Sequence, residues 1–76
     1  MNSERIARDI KRRIDGASTR WPHIEKYGLF RIGNTWKVVG YGTERWYAAC
    51  SKVEPAGCYT RKVTVEQIKS AMEDTQ

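Results

Sequence analysis

Residues 27–47 of this 76-residue chain read YGLFRIGNTWKVVGYGTERWY, and this stretch decides the fold class. Aromatic and β-branched residues dominate it, and the pair Gly33-Asn34 is typical of a two-residue hairpin loop. We therefore predict a strand from Tyr27 to Ile32 and a second from Trp36 to Tyr41. The loop would pair Ile32 with Thr35, Arg31 with Trp36 and Leu29 with Val38. Arg31 would then lie over the Trp36 ring as a cation–π pair.

Two further strands are expected after this hairpin. A turn at Gly42-Thr43-Glu44 would lead into a third strand from Arg45 to Ser51. A turn at Glu54-Pro55-Ala56-Gly57 would return the chain as a short edge strand from Cys58 to Val63. The pattern thus predicts an antiparallel sheet of three to four strands, with an exposed edge at Tyr27–Ile32 or Cys58–Val63.

Helices are expected at both ends of the sheet. Ser3 is a candidate N-cap for a helix from Glu4 to about Asp15, with Gly16 as its C-terminal stop. Thr64 and Gln67 form a capping box for a final helix that covers one face of the sheet. The prediction is one α+β domain, with a core from about residue 4 to residue 73 and a frayed tail at 73–76.

The large rings should divide between core and surface. A domain of this size must bury about 60% of the surface that its unfolded chain exposes, so the rings are needed for the core. We expect Trp21, before Pro22, to dock on the core, and Trp36 and Trp46 to be partly buried. One or two of the tyrosines at positions 27, 41 and 47 should be exposed.

The chain is basic, with 14 Lys and Arg against 9 Asp and Glu and a formal net charge of +5. Eleven of the cations and only five of the carboxylates fall in residues 1–52, so the positive charge belongs to the first helix and the sheet. Such a surface suits a polyanion, either nucleic acid or an acidic face of another protein.

Several classes of function lack support in the sequence. No catalytic or phosphate-binding motif is present, so we expect a protein that is not an enzyme and takes no cofactor or small-molecule substrate. His23 has no second His and no C-x-x-C pair, so no metal site is expected. Cys50 and Cys58 are expected as free thiols buried beside the core, although their spacing also permits a disulfide.

The location of the protein is inferred from its apolar runs. The first residues lack the apolar segment of a signal peptide, and no run approaches the roughly 20 residues that span a membrane. We therefore expect a cytoplasmic protein with no membrane contact.

The first functional hypothesis is nucleic-acid binding, most specifically DNA binding, through an aromatic and basic sheet face and the basic N-terminal helix. Ion pairs of Glu4 with Arg8 and of Asp9 with Arg13 would neutralise part of the helix charge and leave Arg5, Lys11 and Arg12 more available. The candidate binding residues are Arg5, Arg8, Lys11, Arg12, Arg31, Trp36, Lys37, Tyr41, Arg45, Trp46 and Tyr47.

Residues 27–72, read as three strands and a helix, resemble the three-stranded sheet domains with which tyrosine integrases and some plant transcription factors hold the DNA major groove. This resemblance rests on element order and composition, and it implies a DNA-binding sheet. The order is also similar to the double-stranded RNA-binding domain. However, the last helix begins Thr64-Val65-Glu66-Gln67, where that family has a lysine cluster.

The alternative hypothesis is a protein-binding module, such as a phage- or mobile-element-type inhibitor or adaptor directed at a host RNA polymerase, nuclease or defence complex. Trp, Tyr and Arg are the residue types enriched at interface hot spots. Aromatic rings that share one flat face with Arg31, Lys37 and Arg45 would favour nucleic acid. Cations that surround a compact apolar patch would favour a protein partner.

Overall fold

The computed structural model describes residues 2–74. The elements in this range are α1 Ser3–Arg20, β1 Lys26–Ile32, β2 Thr35–Gly40, α2 Glu44–Cys50, β3 Gly57–Thr60 and α3 Val65–Asp74. The predicted α+β class is confirmed, with an N-terminal helix, an antiparallel sheet and a C-terminal helix packed on it. The described sheet has three strands.

The β1–β2 hairpin forms in the predicted register. Ile32 pairs with Thr35, Arg31 with Trp36 and Leu29 with Val38. Gly33 has a φ of 65°, which a hairpin loop of this length requires and which glycine adopts at little cost. The Arg31 guanidinium carbon lies 5.7 Å from the centre of the Trp36 ring, so the predicted cation–π pair is also confirmed.

One face of the sheet lies beneath α1 and α3. Tyr27, Leu29 and Trp36 project from this face into the larger core cluster, where they meet apolar side chains of both helices. The helix residues that are buried there are Ala7, Ile10 and Ile14 of α1 and Ile68, Ala71 and Met72 of α3. This face is therefore fully used for folding and presents no flat binding surface.

The opposite face of the sheet lies beneath α2. Phe30 and Val39 project from this face and pack against Trp46 and Ala49 of α2 in a second, smaller cluster. The Phe30 and Trp46 rings meet edge to face, with centroids 5.1 Å apart and an interplanar angle of 76°. A methyl group on Gly28 would overlap the Trp46 ring, so α2 can reach this position only because residue 28 has no side chain.

The predicted third strand at Arg45–Ser51 is wrong, because Glu44–Cys50 is the helix α2. The Thr43 hydroxyl accepts a hydrogen bond from the Trp46 backbone N–H at 3.1 Å, which caps this helix. Trp46 and Ala49 are three residues apart, so both face the sheet. The resemblance to the three-stranded DNA-binding domains required a strand here and fails for that reason.

The position of α2 changes the order of the strands. β1 pairs antiparallel with both β2 and β3, so β2 and β3 run parallel to each other on either side of it. Parallel strands need a crossover connection, and α2 is part of that connection. The edge strands are therefore β2 and β3. The prediction of an exposed edge at Tyr27–Ile32 is wrong, whereas β3 overlaps the other predicted edge, Cys58–Val63, at residues 58–60.

The first helix differs from its prediction at both ends. Asn2 is its N-cap instead of Ser3, with the Asn2 side chain accepting from the Arg5 N–H at 3.2 Å. The helix also continues past Gly16 to Arg20. Ser18 is buried and Ala17 packs against the core, so tertiary packing overrides the stop signal of the glycine.

The last helix begins as predicted. Thr64 and Gln67 form the capping box, with backbone-to-side-chain distances of 2.9 and 3.2 Å. The expected fraying fails at Glu73 and Asp74, which belong to α3. The other two residues of the expected frayed tail, 75 and 76, lie outside the described range.

Burial raises the pKa of the Tyr59 phenol in β3, and the negative charges of Asp74 and Cys58 add to the shift.

Gly28→Ala tests the contact between α2 and the sheet. The new methyl group would collide with Trp46, so the substitution should destabilise the protein by about 1–3 kcal/mol, the usual cost of overpacking. Gly16→Ala is the matched control. Its Cβ meets nothing within 4 Å and helix propensity favours alanine, so this variant should gain about 1 kcal/mol. Urea unfolding of both variants measures the difference. Equal effects would contradict the placement of α2.

Ser18→Ala should raise the melting temperature. Ser18 is 5% exposed in the last turn of α1, and its hydroxyl has no protein hydrogen-bond partner among residues 2–74. Alanine removes this unsatisfied group and has the higher helix propensity. We expect a gain of about 1 kcal/mol, or about 4–8 °C in a thermal melt. A lower melting temperature would contradict the burial of this side chain.

Candidate binding groove along the β2 edge

The predicted aromatic face of the sheet does not form. Trp36 and Trp46 are each 8% exposed, and they lie on opposite faces of the sheet in different core clusters. Tyr41 and Tyr47 are the exposed rings of the predicted set, at 57% and 66%. The expectation that one or two of the tyrosines at positions 27, 41 and 47 are exposed is confirmed, whereas Trp36 and Trp46 are more deeply buried than expected. Neither groove lined by the predicted cations contains Tyr41 or Tyr47.

The cations of α1 are largely paired within the helix. Arg8 lies 3.5 Å from Glu4 and Arg13 lies 2.9 Å from Asp9, as predicted. Lys11 was expected to be available, but its Nζ lies 3.0 Å from an Asp15 carboxylate oxygen and donates to the Arg61 carbonyl at 2.8 Å.

Two α1 arginines of the predicted binding set are less closely paired than the others. Arg12 approaches Asp9 only to 3.9 Å, and Arg5 makes no ion pair in the described part of the chain. Both line a groove of about 870 Å³ that also contains Glu4 and Asp9, so this surface is of mixed charge.

The outer edge of β2 pairs with no other strand in the described structure. The Tyr41 N–H donates to the Lys26 carbonyl at 2.9 Å, which fixes the alternation of the antiparallel ladder. By that alternation Lys37 and Val39 bond to β1, whereas Trp36 and Val38 direct their N–H and C=O groups away from it. These outward groups form an open row of backbone donors and acceptors.

A groove of about 580 Å³ runs along this open edge, and we call it the β2 groove. Arg13 and Ala17 of α1 lie on one side, and Arg45 at the start of α2 lies on the other. The segment between α1 and β1 contributes to the lining as well. The polar and aromatic side chains of the lining are Arg13, Trp21, His23, Tyr27, Thr35, Trp36, Lys37, Thr43 and Arg45.

The β2 groove is positively charged. Lys37 and Arg45 are both exposed, and neither makes an ion pair within residues 2–74. No Asp or Glu of this range lines the groove. The charge of Arg13 is partly neutralised by Asp9 outside the groove, so Lys37 and Arg45 supply most of the uncompensated charge. An anionic group that enters here meets cations and no competing carboxylate.

The predicted binding residues divide into three groups. Trp36, Lys37 and Arg45 line the β2 groove, and Arg31 lies over the Trp36 ring. Those that line the mixed-charge groove are Arg5, Arg8 and Arg12, with Trp36 shared between the two grooves. Those that line neither groove are Lys11, Arg31, Tyr41, Trp46 and Tyr47.

Sequence reasoning missed Trp21 and the β2 edge itself. Trp21 was expected on the core, but it is 42% exposed and lies at the β2 groove. The Arg20 guanidinium carbon lies 5.2 Å from its ring centre, so the exposed ring makes a cation–π contact. The run Arg20-Trp21 was a signal for this contact. No sequence signal indicated the open edge of β2, because that edge is open only if β3 pairs with β1.

Other predicted features have simple outcomes. Cys50 and Cys58 are free thiols, as expected. Both are exposed, so the expectation that they are buried beside the core is wrong. Among residues 2–74, no three His, Cys, Asp or Glu side chains are grouped so that they could hold a metal ion. None of the described helices is long and apolar enough to cross a membrane.

Comparison with known proteins adds no relative. No protein-family model matches this chain, and no curated protein or solved structure matches it. The groove and its charges are therefore the basis for the functional proposal.

Hydrogen exchange in the free protein tests the open edge. The amide protons of Trp36 and Val38 should exchange at least about tenfold faster than those of Lys37 and Val39, because only the latter pair bonds to β1. Residue-resolved exchange measured by NMR gives the rates. Equal protection of all four amides would mean that the outer edge of β2 is covered.

Proposed function

We propose that this protein is a non-enzymatic binding module that takes an acidic segment of a partner protein in the β2 groove. One observation carries the proposal: an open strand edge lies beside unpaired cations in a groove that no described carboxylate lines. Backbone groups of an open edge bind another backbone, and cations select an acidic one. Such a module would act as an inhibitor or adaptor by occupying a segment of its partner.

The surroundings of the cations support a protein partner over nucleic acid. Trp36 and Trp46 are core residues, so the sheet offers no flat row of rings for stacking bases. Instead, Lys37 and Arg45 line the same groove as apolar groups of Trp36, Val38 and Ile24. Cations around an apolar patch are typical of a protein interface, where a buried centre is surrounded by a polar rim.

Nucleic acid, and DNA in particular, is the second candidate. The exposed Trp21 ring favours it, because aromatic rings beside cations stack the bases of single strands. The two grooves share Arg13 and Trp36, so a longer anionic polymer would find a continuous path that includes Arg5 and Arg12. The two candidates predict different preferences between carboxylate and phosphate polymers.

A fluorescence titration that follows the tryptophans compares polyglutamate with single- and double-stranded DNA and RNA at about 50 and about 200 mM salt. The proposal predicts that polyglutamate binds through the β2 groove. Lys37→Glu and Arg45→Glu should each weaken this binding about tenfold, or about 1.4 kcal/mol. Both side chains are exposed, so the melting temperature should change little.

Lys62→Glu is the matched control, since it makes the same change of charge at an exposed position that lines neither groove. It should weaken binding much less than the two groove variants. An equal loss in all three variants would show that only net charge matters. Salt-sensitive binding of nucleic acid without binding of polyglutamate would replace the proposal with the second candidate.

A further inference from the structure

Resting on the proposed function, we infer how the partner binds: its segment is an extended strand that joins the sheet at β2, with acidic residues alternating with apolar ones. This inference depends on one arrangement: the open backbone groups of Trp36 and Val38 lie between two walls of the β2 groove that differ in chemistry. One wall of the β2 groove is cationic and the other is largely apolar.

The backbone of β2 requires a partner of a particular geometry. Trp36 and Val38 direct their N–H and C=O groups outward, two residues apart, and no described residue takes these groups. The outward carbonyl of Gly40 is already used by the Thr43 hydroxyl at 2.8 Å. An extended peptide offers donors and acceptors with the same two-residue repeat, whereas a helix keeps its own backbone bonds internal.

The surroundings of the two sheet faces determine which side chains suit the added strand. A residue opposite Lys37 would project from the face that carries Lys37 and Arg45, where an acidic side chain forms a cross-strand ion pair. Its neighbours would project from the other face, toward Ala17, Trp21 and Ile24. An apolar side chain suits that position, so the favoured pattern is acid and apolar in alternation.

A second copy of this chain is a poor occupant of the edge. Pairing two β2 strands would bring the Lys37 and Arg45 side chains of both copies together, and like charges across paired strands are destabilising. A lysine on an edge strand is also a common protection against such pairing. The same cations that reject another β2 attract an acidic strand.

Two synthetic peptides of identical composition and charge test the inference. The alternating peptide is acetyl-Thr-Glu-Val-Glu-Val-Glu-Thr-amide, and the rearranged control is acetyl-Glu-Glu-Val-Thr-Thr-Val-Glu-amide. Isothermal titration gives the affinities of the intact protein, and amide exchange by NMR gives the protection of Trp36 and Val38. We expect the alternating peptide to bind at least about tenfold more tightly. It should also slow both amides by at least about tenfold.

The outcomes separate the mode of binding from the binding itself. Equal affinity of the two peptides, with unchanged exchange at Trp36 and Val38, would overturn strand addition while leaving the acidic partner intact. If neither peptide binds at low salt, and polyglutamate also fails, the proposed function falls together with the inference. Binding of polyglutamate alone would overturn only the inference. Loss of alternating-peptide binding in Lys37→Glu, with Lys62→Glu unaffected, would support the assigned cationic wall.

Discussion

The contact between the Trp46 ring and Gly28 is the constraint on which the rest of the structure depends. A side chain at position 28 would occupy the space of the ring, so α2 lies on this face only because the central strand carries a glycine there. With α2 in place, the chain crosses the sheet and returns as β3 beside β1. The outer edge of β2 is left without a partner as a direct result.

The open edge and the charge around it are two parts of one arrangement. An unpaired strand edge is a hazard, because it accepts any extended chain. Lys37 and Arg45 restrict that acceptance by charge, and Arg31 makes a cation–π contact with Trp36 near the hairpin loop. Three of the six cations on α1 are paired closely with its three carboxylates, at 2.9–3.5 Å. The net charge of +5 therefore does not by itself locate the binding surface.

Local signals predicted the hairpin and the last helix well. Gly33-Asn34 fixed the register, and Thr64 with Gln67 fixed the start of α3, because both signals act within a few residues. Residues 44–50 were misassigned because Trp46 and Tyr47 favour strands, although Thr43 was an available helix cap. Of the groove, sequence supplied Trp36, Lys37 and Arg45. It could not supply the open edge, which is set by the long-range pairing of β1 with β3.

The most direct test of this account is a measurement of proton contacts between Gly28 and Trp46 by NMR. The structure predicts strong nuclear Overhauser effects from the Gly28 α-protons to the Trp46 ring, and an upfield shift of those protons caused by the ring current. Helical Cα shifts over residues 44–50 should accompany them. Absence of these contacts, with strand-like shifts over the same residues, would contradict the crossover and with it the open β2 edge.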